Sequence, residues 1–192
     1  MMKNTSVIAL CLLALSPSVF AQWDLVSKDS NINFISTKNA SIAEVHSFKK
    51  VSGGISDAGG INIKIDLNSV QTKIDIRNER MKTILFDTAK FAQASVTGTV
   101  NLDKVSTLQI GETYNETLNV NLSLHGISQE INQDVQVTKL SNNKLRVTSL
   151  EPVVLNSNDY ELSAGVESLR NLASLSSIST GVPVTFNFVF TQ

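Results

Sequence analysis

The chain has 192 residues with 16 Lys and Arg against 17 Asp and Glu, a formal net charge of −1. That balance excludes a polyanion as the evident partner, and no basic cluster interleaved with aromatics points to nucleic acid. The one cysteine is Cys11, so a mature chain that lost its N-terminus would have no disulfide, thiol or iron–sulfur chemistry.

Lys3, the apolar run "VIALCLLAL" (7–15), Pro17 and the small residues Val19 and Ala21 form the pattern of a secretory signal over residues 1–21, cleaved after Ala21. A membrane span needs ~20 apolar residues, and this run is about half that length. Cys11 follows Leu10 inside the run and does not resemble a lipoprotein acylation site. Residues 22–192 then read as one domain, periplasmic or secreted, long enough for a sizeable core.

Period-two patterns dominate that domain. "NINFIS" (31–36) sets Ile32 and Phe34 against Asn31 and Asn33; "INIKIDLNSV" (61–70) sets Ile61, Ile63, Ile65 and Leu67 against Asn62, Lys64, Asp66 and Asn68. "SVTGTVNL" (95–102), "TLNVNLSLHG" (117–126), "INQDVQV" (131–137), "KLRVTSL" (144–150) and "GVPVTFNFVF" (181–190) continue it. In the last, Phe186 and Phe188 share a face with Val182 and Val184 while Asn187 takes the other. "SGGISDAGG" (52–60), "HGIS" (125–128) and "SNN" (141–143) read as turns, the first as a hairpin loop. The whole reads as an antiparallel all-β sandwich or barrel, because parallel strands would be apolar on both faces.

Two stretches change period. In 73–86, Ile74, Met81 and Leu85 fall at helical intervals, and Thr72 with Asp75 resembles a capping box. In 163–175, Val166, Leu169, Leu172 and Ala173 share a helical face, with Ser163 as the expected N-cap. No repeat, linker or low-complexity segment interrupts the chain.

Alternation leaves open whether the apolar face meets side chains, membrane lipid or a bound apolar molecule. An outer-membrane barrel carries girdles of Tyr and Trp, whereas this chain has only Trp23, Tyr114 and Tyr160. No HExxH, paired Cys ligands, strand-borne GxGxxG or GxSxG is present, so neither a catalytic set nor a metal site is expected. His46 and His125 read as polar residues satisfied at strand ends. Arg77, Glu79, Arg80 and Lys82 read first as a solvated face with i,i+3 pairing, the functional alternative being that Arg77 and Arg80 clamp an anionic headgroup.

The stretch "IDLNSVQTKIDIRNERMKTILFDTAKFAQASVTG" (65–98) resembles the central block of the YceI-like family of periplasmic lipid- or polyisoprenoid-binding proteins. Ser69, Val70 and Thr72 match its Ser-Val-x-Thr strand end, and Arg77, Met81, Lys82, Thr83, Phe86 and Asp87 fill places in the helix and Phe-Asp that follow. "LNVNLSLHGISQEI" (118–131) is similar to the family's strand–turn–strand with His-Gly at its tip, matched by His125 and Gly126. "WDLVSKDSNINFIS" (23–36) is like its N-terminal strand. The sequence departs at Asn78, Arg80, Leu85 and Phe91-Ala92, and it carries a helix in 165–190 that many shorter relatives lack.

The resemblance implies an extended eight-stranded antiparallel lipocalin-like barrel with one or two short helices. It also implies a binding protein, not an enzyme, without cofactor or metal, holding an isoprenoid or other long-chain amphiphile such as a quinone- or polyprenyl-type lipid for transport, storage or sequestration. The lining would include Phe34, Ile63, Ile65, Leu67, Phe86, Leu122, Leu124, Phe186 and Phe188. The partner would be that lipid, with no nucleic acid and no integral membrane span, and homodimerisation is left open. Two alternatives stand beside it. An enzyme acting on such a lipid would draw its acid or base from Asp66, Asp87, Glu79 or His125. An interaction protein would fill its barrel with its own side chains.

Overall fold

The computed structural model describes residues 21–192, so the secretory signal expected over 1–21 falls, apart from Ala21, outside the described residues. Alternating residues in the domain put one apolar and one polar face on each strand, and antiparallel pairing joins those faces into a sheet.

Some strands are interrupted staves of one sheet. β1 (Ala21–Leu25) and β2 (Asn31–Lys38) form the first, β3 (Ile42–Phe48) and β4 (Val51–Ser56) the second, β5 (Gly60–Asp66) and β6 (Val70–Gln71) the third. β7 (Gln93–Thr99), β8 (Thr113–Leu124) and β9 (Ile127–Ser141) are continuous; β10 (Lys144–Ser149) and β11 (Val153–Asn156) share a stave, and β12 (Gly181–Thr191) is the last. Each stave pairs with the next in chain order, and β12 returns to pair with β1 and β2, which closes an eight-stave up-and-down barrel. Closure leaves no free edge on most staves.

The apolar stripes point inward. Ile63 and Ile65 are buried while Asn62 and Lys64 are exposed; Val120 and Leu122 are buried while Asn119 and Asn121 are exposed. The outer wall is therefore polar, as a water-facing barrel requires and a lipid-facing one does not.

Three local readings need correction. Residues 52–60 are not a hairpin loop, because β4 runs through Ser56 and only the turn around Gly59 remains. Gly53 serves close approach: it sits at φ +114°, and a Cβ there would stand 1.9 Å from the Asn62 carbonyl oxygen on β5. The strand expected to run to Val70 stops at Asp66, whose carboxylate accepts from the Asn68 N–H (2.9 Å) and whose carbonyl accepts from the Ser69 hydroxyl (2.6 Å), winding Leu67–Ser69 into a short 3₁₀ turn. β3, β11 and a short helix, α1 (Asp103–Thr107), carry structure where no element was expected.

Both expected helices form, with different ends. The first, α2 (Asp75–Arg80), widens into a π turn over Met81–Leu85. Its start is not capped by a Thr72–Asp75 box. Instead the Thr72 N–H and hydroxyl both donate to the Asn78 side-chain oxygen at 2.7 Å. In the second, α3 (Ser163–Leu172), Ser163 is not the N-cap but donates to the Asn158 side-chain oxygen. Leu172 is 52 % exposed, not part of the packed face. Gly165 lets α3 lie directly on the π turn, since a Cβ there would meet the Ile84 carbonyl oxygen at 2.8 Å.

Candidate functional site

The inward stripes do not fill the barrel. They surround a cavity of about 550 Å³, within the range of small-molecule sites, about 300–1,000 Å³, and well beyond a packing defect. Its wall is overwhelmingly aliphatic and aromatic. Phe34 (β2), Ile63 and Ile65 (β5), Leu67, Phe86, Leu122 and Leu124 (β8), and Phe186 and Phe188 (β12) all lie on it. Phe186 and Phe188 stack at 4.8 Å between ring centroids, and Phe48 bridges Phe34 (5.3 Å) to Phe86 (5.8 Å). Val166 and Leu169 of α3 and Ala173 just after it also lie on the wall, so this helix closes part of the chamber.

Two polar groups of residues interrupt the apolar wall. The first lies where β2, β3 and α2 meet. Arg77 and Arg80 of α2 both reach the cavity, and Arg77 is not merely a solvated face. Its Nη1 donates to Glu44 Oε2 on β3 at 2.7 Å and its Nη2 to the Thr72 carbonyl at 2.8 Å, while Lys38 of β2 holds the same Glu44 oxygen at 2.8 Å. Hydrogen bonding from Lys38, aided by the Arg77 charge, keeps the Glu44 carboxyl below its ordinary pKa. Arg80 has no carboxylate partner among the described residues.

His46 belongs to this group and is not a strand-end residue. It lies inside β3, 3 % exposed, with its Nε2 2.8 Å from Ser36 Oγ and its ring tilted against Phe34 at 5.2 Å. Burial, then the Arg77 charge, pushes its pKa below the ordinary histidine value. His125 matches its reading more closely. It occupies the tight turn between β8 and β9 with φ +53°, followed by Gly126 at +83°, and its ring packs on Phe91 at 4.4 Å.

The second polar group is Tyr114 and Glu116 on β8 with Lys104 on α1. Lys104 Nζ lies 3.3 Å from Glu116 Oε1 and 5.5 Å from the Tyr114 ring centroid. Burial, then the neighbouring Glu116, pushes the Tyr114 hydroxyl pKa up to about 12. Register separates the two groups along β12. Tyr114 connects through Val137 and Val147 to Phe188, whereas His46 connects through Phe34 to Val184. Among the described residues, the buried side-chain polar atoms that lack a partner are His46 Nδ1, Arg77 Nε, Glu116 Oε2 and Ser157 Oγ, and all four residues line the cavity. Unpaired polar atoms are rare in folded interiors, and their gathering around one chamber marks it as a site.

The candidate acids and bases lie elsewhere. Asp66, Glu79, Asp87 and His125 are not on the cavity wall; Asp66 is spent on its turn and Glu79 on Lys82. Ser36, Lys38, Glu44, Tyr114 and Glu116 carry no site reading in the sequence, and His46 reads there only as a strand-end residue. The signal was present for four of them. Glu44 and His46 continue the inward phase of Phe48, and Glu116 and Tyr114 continue the phase of Leu118 back toward the N-terminus.

Residues 23–190 match the sequence profile described as the YceI-like domain. Among solved structures, a polyisoprenoid binding domain from Saccharophagus degradans, described as implicated in plant cell wall breakdown, superposes with a TM-score of 0.88 at 42 % identity, covering 90 % of this chain and 99 % of that one. Burkholderia cenocepacia BcnA (TM-score 0.66, 16 % identity, 86 % and 99 % covered) and a Campylobacter jejuni YceI protein (0.53, 15 %, 97 % and 98 %) share the fold. No curated protein matches the chain.

Proposed function

The chain belongs to the YceI-like family, and from that premise we propose that it is an exported, non-catalytic carrier that holds the apolar chain of an isoprenoid or similar amphiphile inside its barrel. The cavity of about 550 Å³ within a closed, water-facing barrel carries this reading. Such a wall gains about 0.8 kcal/mol for each CH₂ it takes from water, so a long chain binds without a strong polar anchor. The Saccharophagus degradans relative, named for polyisoprenoid binding, supports the ligand class.

Arg77 and Arg80 are the proposed contacts for an acidic head, Arg80 being the cation not already committed to a carboxylate. The family premise and the signal pattern of residues 1–21 support a periplasmic site of action after cleavage. The four acids and bases considered for catalysis stand off the cavity wall. The carboxylates and the histidine that do line it are committed to partners, Glu44 to Lys38 and Arg77, Glu116 to Lys104 and His46 to Ser36, which favours a carrier over a lipid-modifying enzyme.

Organic extraction of protein purified without detergent, followed by mass spectrometry, tests the proposal. A stoichiometric long-chain lipid in the extract is the expected result. A chemically altered form of an added lipid supports the enzyme instead, and a barrel that neither yields nor takes up lipid overturns the carrier.

A further inference from the structure

Charge and exposed apolar surface are unevenly distributed around this barrel. The stretches 38–50 and 73–82 carry seven Lys and Arg against three Asp and Glu, whereas the remainder of 22–192 carries eight against fourteen. The two stretches are one region in space. Ser47 and Phe48 of β3 pair with Gln71 and Val70 just before α2, and Arg77 of α2 bonds Glu44 of β3 at 2.7 Å.

The same stretches hold Ile42 (47 % exposed), Val45 (58 %), Ile74 (48 %) and Ile76 (60 %), half of the large hydrophobic side chains that the described residues leave in water. Ile76 and Arg80 sit one helical turn apart, on one face of α2, and Arg80 reaches the cavity. A surface that pairs exposed isoleucines with an excess of cations, in a protein otherwise acidic, has the chemistry of an anionic lipid interface. The side chains enter the headgroup boundary while Lys and Arg meet lipid phosphates.

We propose that the face formed by β3 and α2 docks onto an anionic membrane surface and is where the cavity exchanges its lipid. This rests on the carrier reading and adds where that lipid enters and leaves. Lys73, Arg80, Lys49 and Lys50 supply the attraction, and Ile74 and Ile76 insert.

Co-sedimentation with vesicles of phosphatidylglycerol and phosphatidylcholine, against vesicles of phosphatidylcholine alone, tests the docking. The wild type should bind the anionic vesicles at least tenfold more tightly, and less so at high salt. Ile74→Asp combined with Ile76→Asp should remove most of that binding. These side chains are already exposed, so thermal unfolding should be nearly unchanged. Val154→Asp, on β11 and 69 % exposed, should bind like the wild type. Equal binding to both vesicle types, or undiminished binding by the double variant, overturns the docking face. A wild-type dimer that the double variant splits into monomers assigns the face to a second copy and also overturns it. Uptake of a detergent-dispersed polyprenol without vesicles separates this from the carrier reading. Wild type and double variant should take it up alike, and failure of both overturns the carrier.

Discussion

β5 and β3 line the same cavity with opposite chemistry. β5 presents Ile61, Ile63 and Ile65 inward and water-exposed Asn62 and Lys64 outward. β3 presents Glu44, His46 and Phe48 inward, with Val45 outward in water. The first strand follows the rule that the buried face is the apolar one. The second inverts part of it, and the inversion is affordable only because Lys38, Arg77 and Ser36 answer the inward polar groups. A barrel built wholly like β5 would be a featureless apolar tube. β3 gives it a polar end.

The largest effect should come from making β5 resemble β3 without partners. Ile63→Asp buries an unanswered carboxylate and should destabilise the fold by several kcal/mol, measured by chemical denaturation. Lys64→Gln, the next residue on the outer face, should stay within about 0.5 kcal/mol. The same pair of changes on β12, Phe186→Asp and Asn187→Asp, should repeat the contrast.

On β3 and its support the effects are smaller. Arg77→Ala removes the bond to the partly solvated Glu44 and leaves the carbonyl of buried Thr72 without its donor, and should cost about 2 kcal/mol, most of it from the second loss. Reversing Arg77 and Arg80 together should weaken binding of a polyprenyl phosphate more than of the matching polyprenol; equal loss for both would place them outside the head site.

The pH dependence separates the two polar groups. His46 has a folded pKa below its unfolded value, so the unfolded state takes up the proton first. Its contribution to stability is complete above about pH 6.5 and is lost as pH falls below that value. His46→Gln should remove this limb from a plot of stability against pH, while the limb from Glu44, lowered in the same sense, remains near and below pH 4.5. Tyr114 is shifted the other way. Its contribution persists up to about pH 10 and is lost as pH rises toward about 12, and Tyr114→Phe should abolish it.

The alternation of 61–70, 117–126 and 181–190 was enough to read an antiparallel all-β fold, because a period of two admits one buried face. It left sandwich and barrel open, and the choice of a barrel rested on the family resemblance. The phase grouped the apolar residues on one face and the resemblance turned that face inward; Phe34, Ile63, Leu122 and Phe186 stand on the cavity wall. The polar end was harder. Glu44 and His46 break the apolar pattern that marks an inward face, and only the paired cations on β2 and α2, distant in sequence, make the inversion stable. The glycines of 52–60 misled for a related reason. Gly53 permits backbone contact across a strand pair, and composition alone does not distinguish that from a turn.

The central claim is that an apolar chain lies within the barrel against the β5 face. Methyl-labelled isoleucine NMR with a polyprenol tests it directly, because the protein carries isoleucines both inside and outside. The account predicts intermolecular contacts from the chain to the Ile63 and Ile65 methyls, which line the cavity, with none to Ile110, 62 % exposed on the outer surface. Contacts confined to exposed isoleucines, with Ile63 and Ile65 unperturbed, would contradict it.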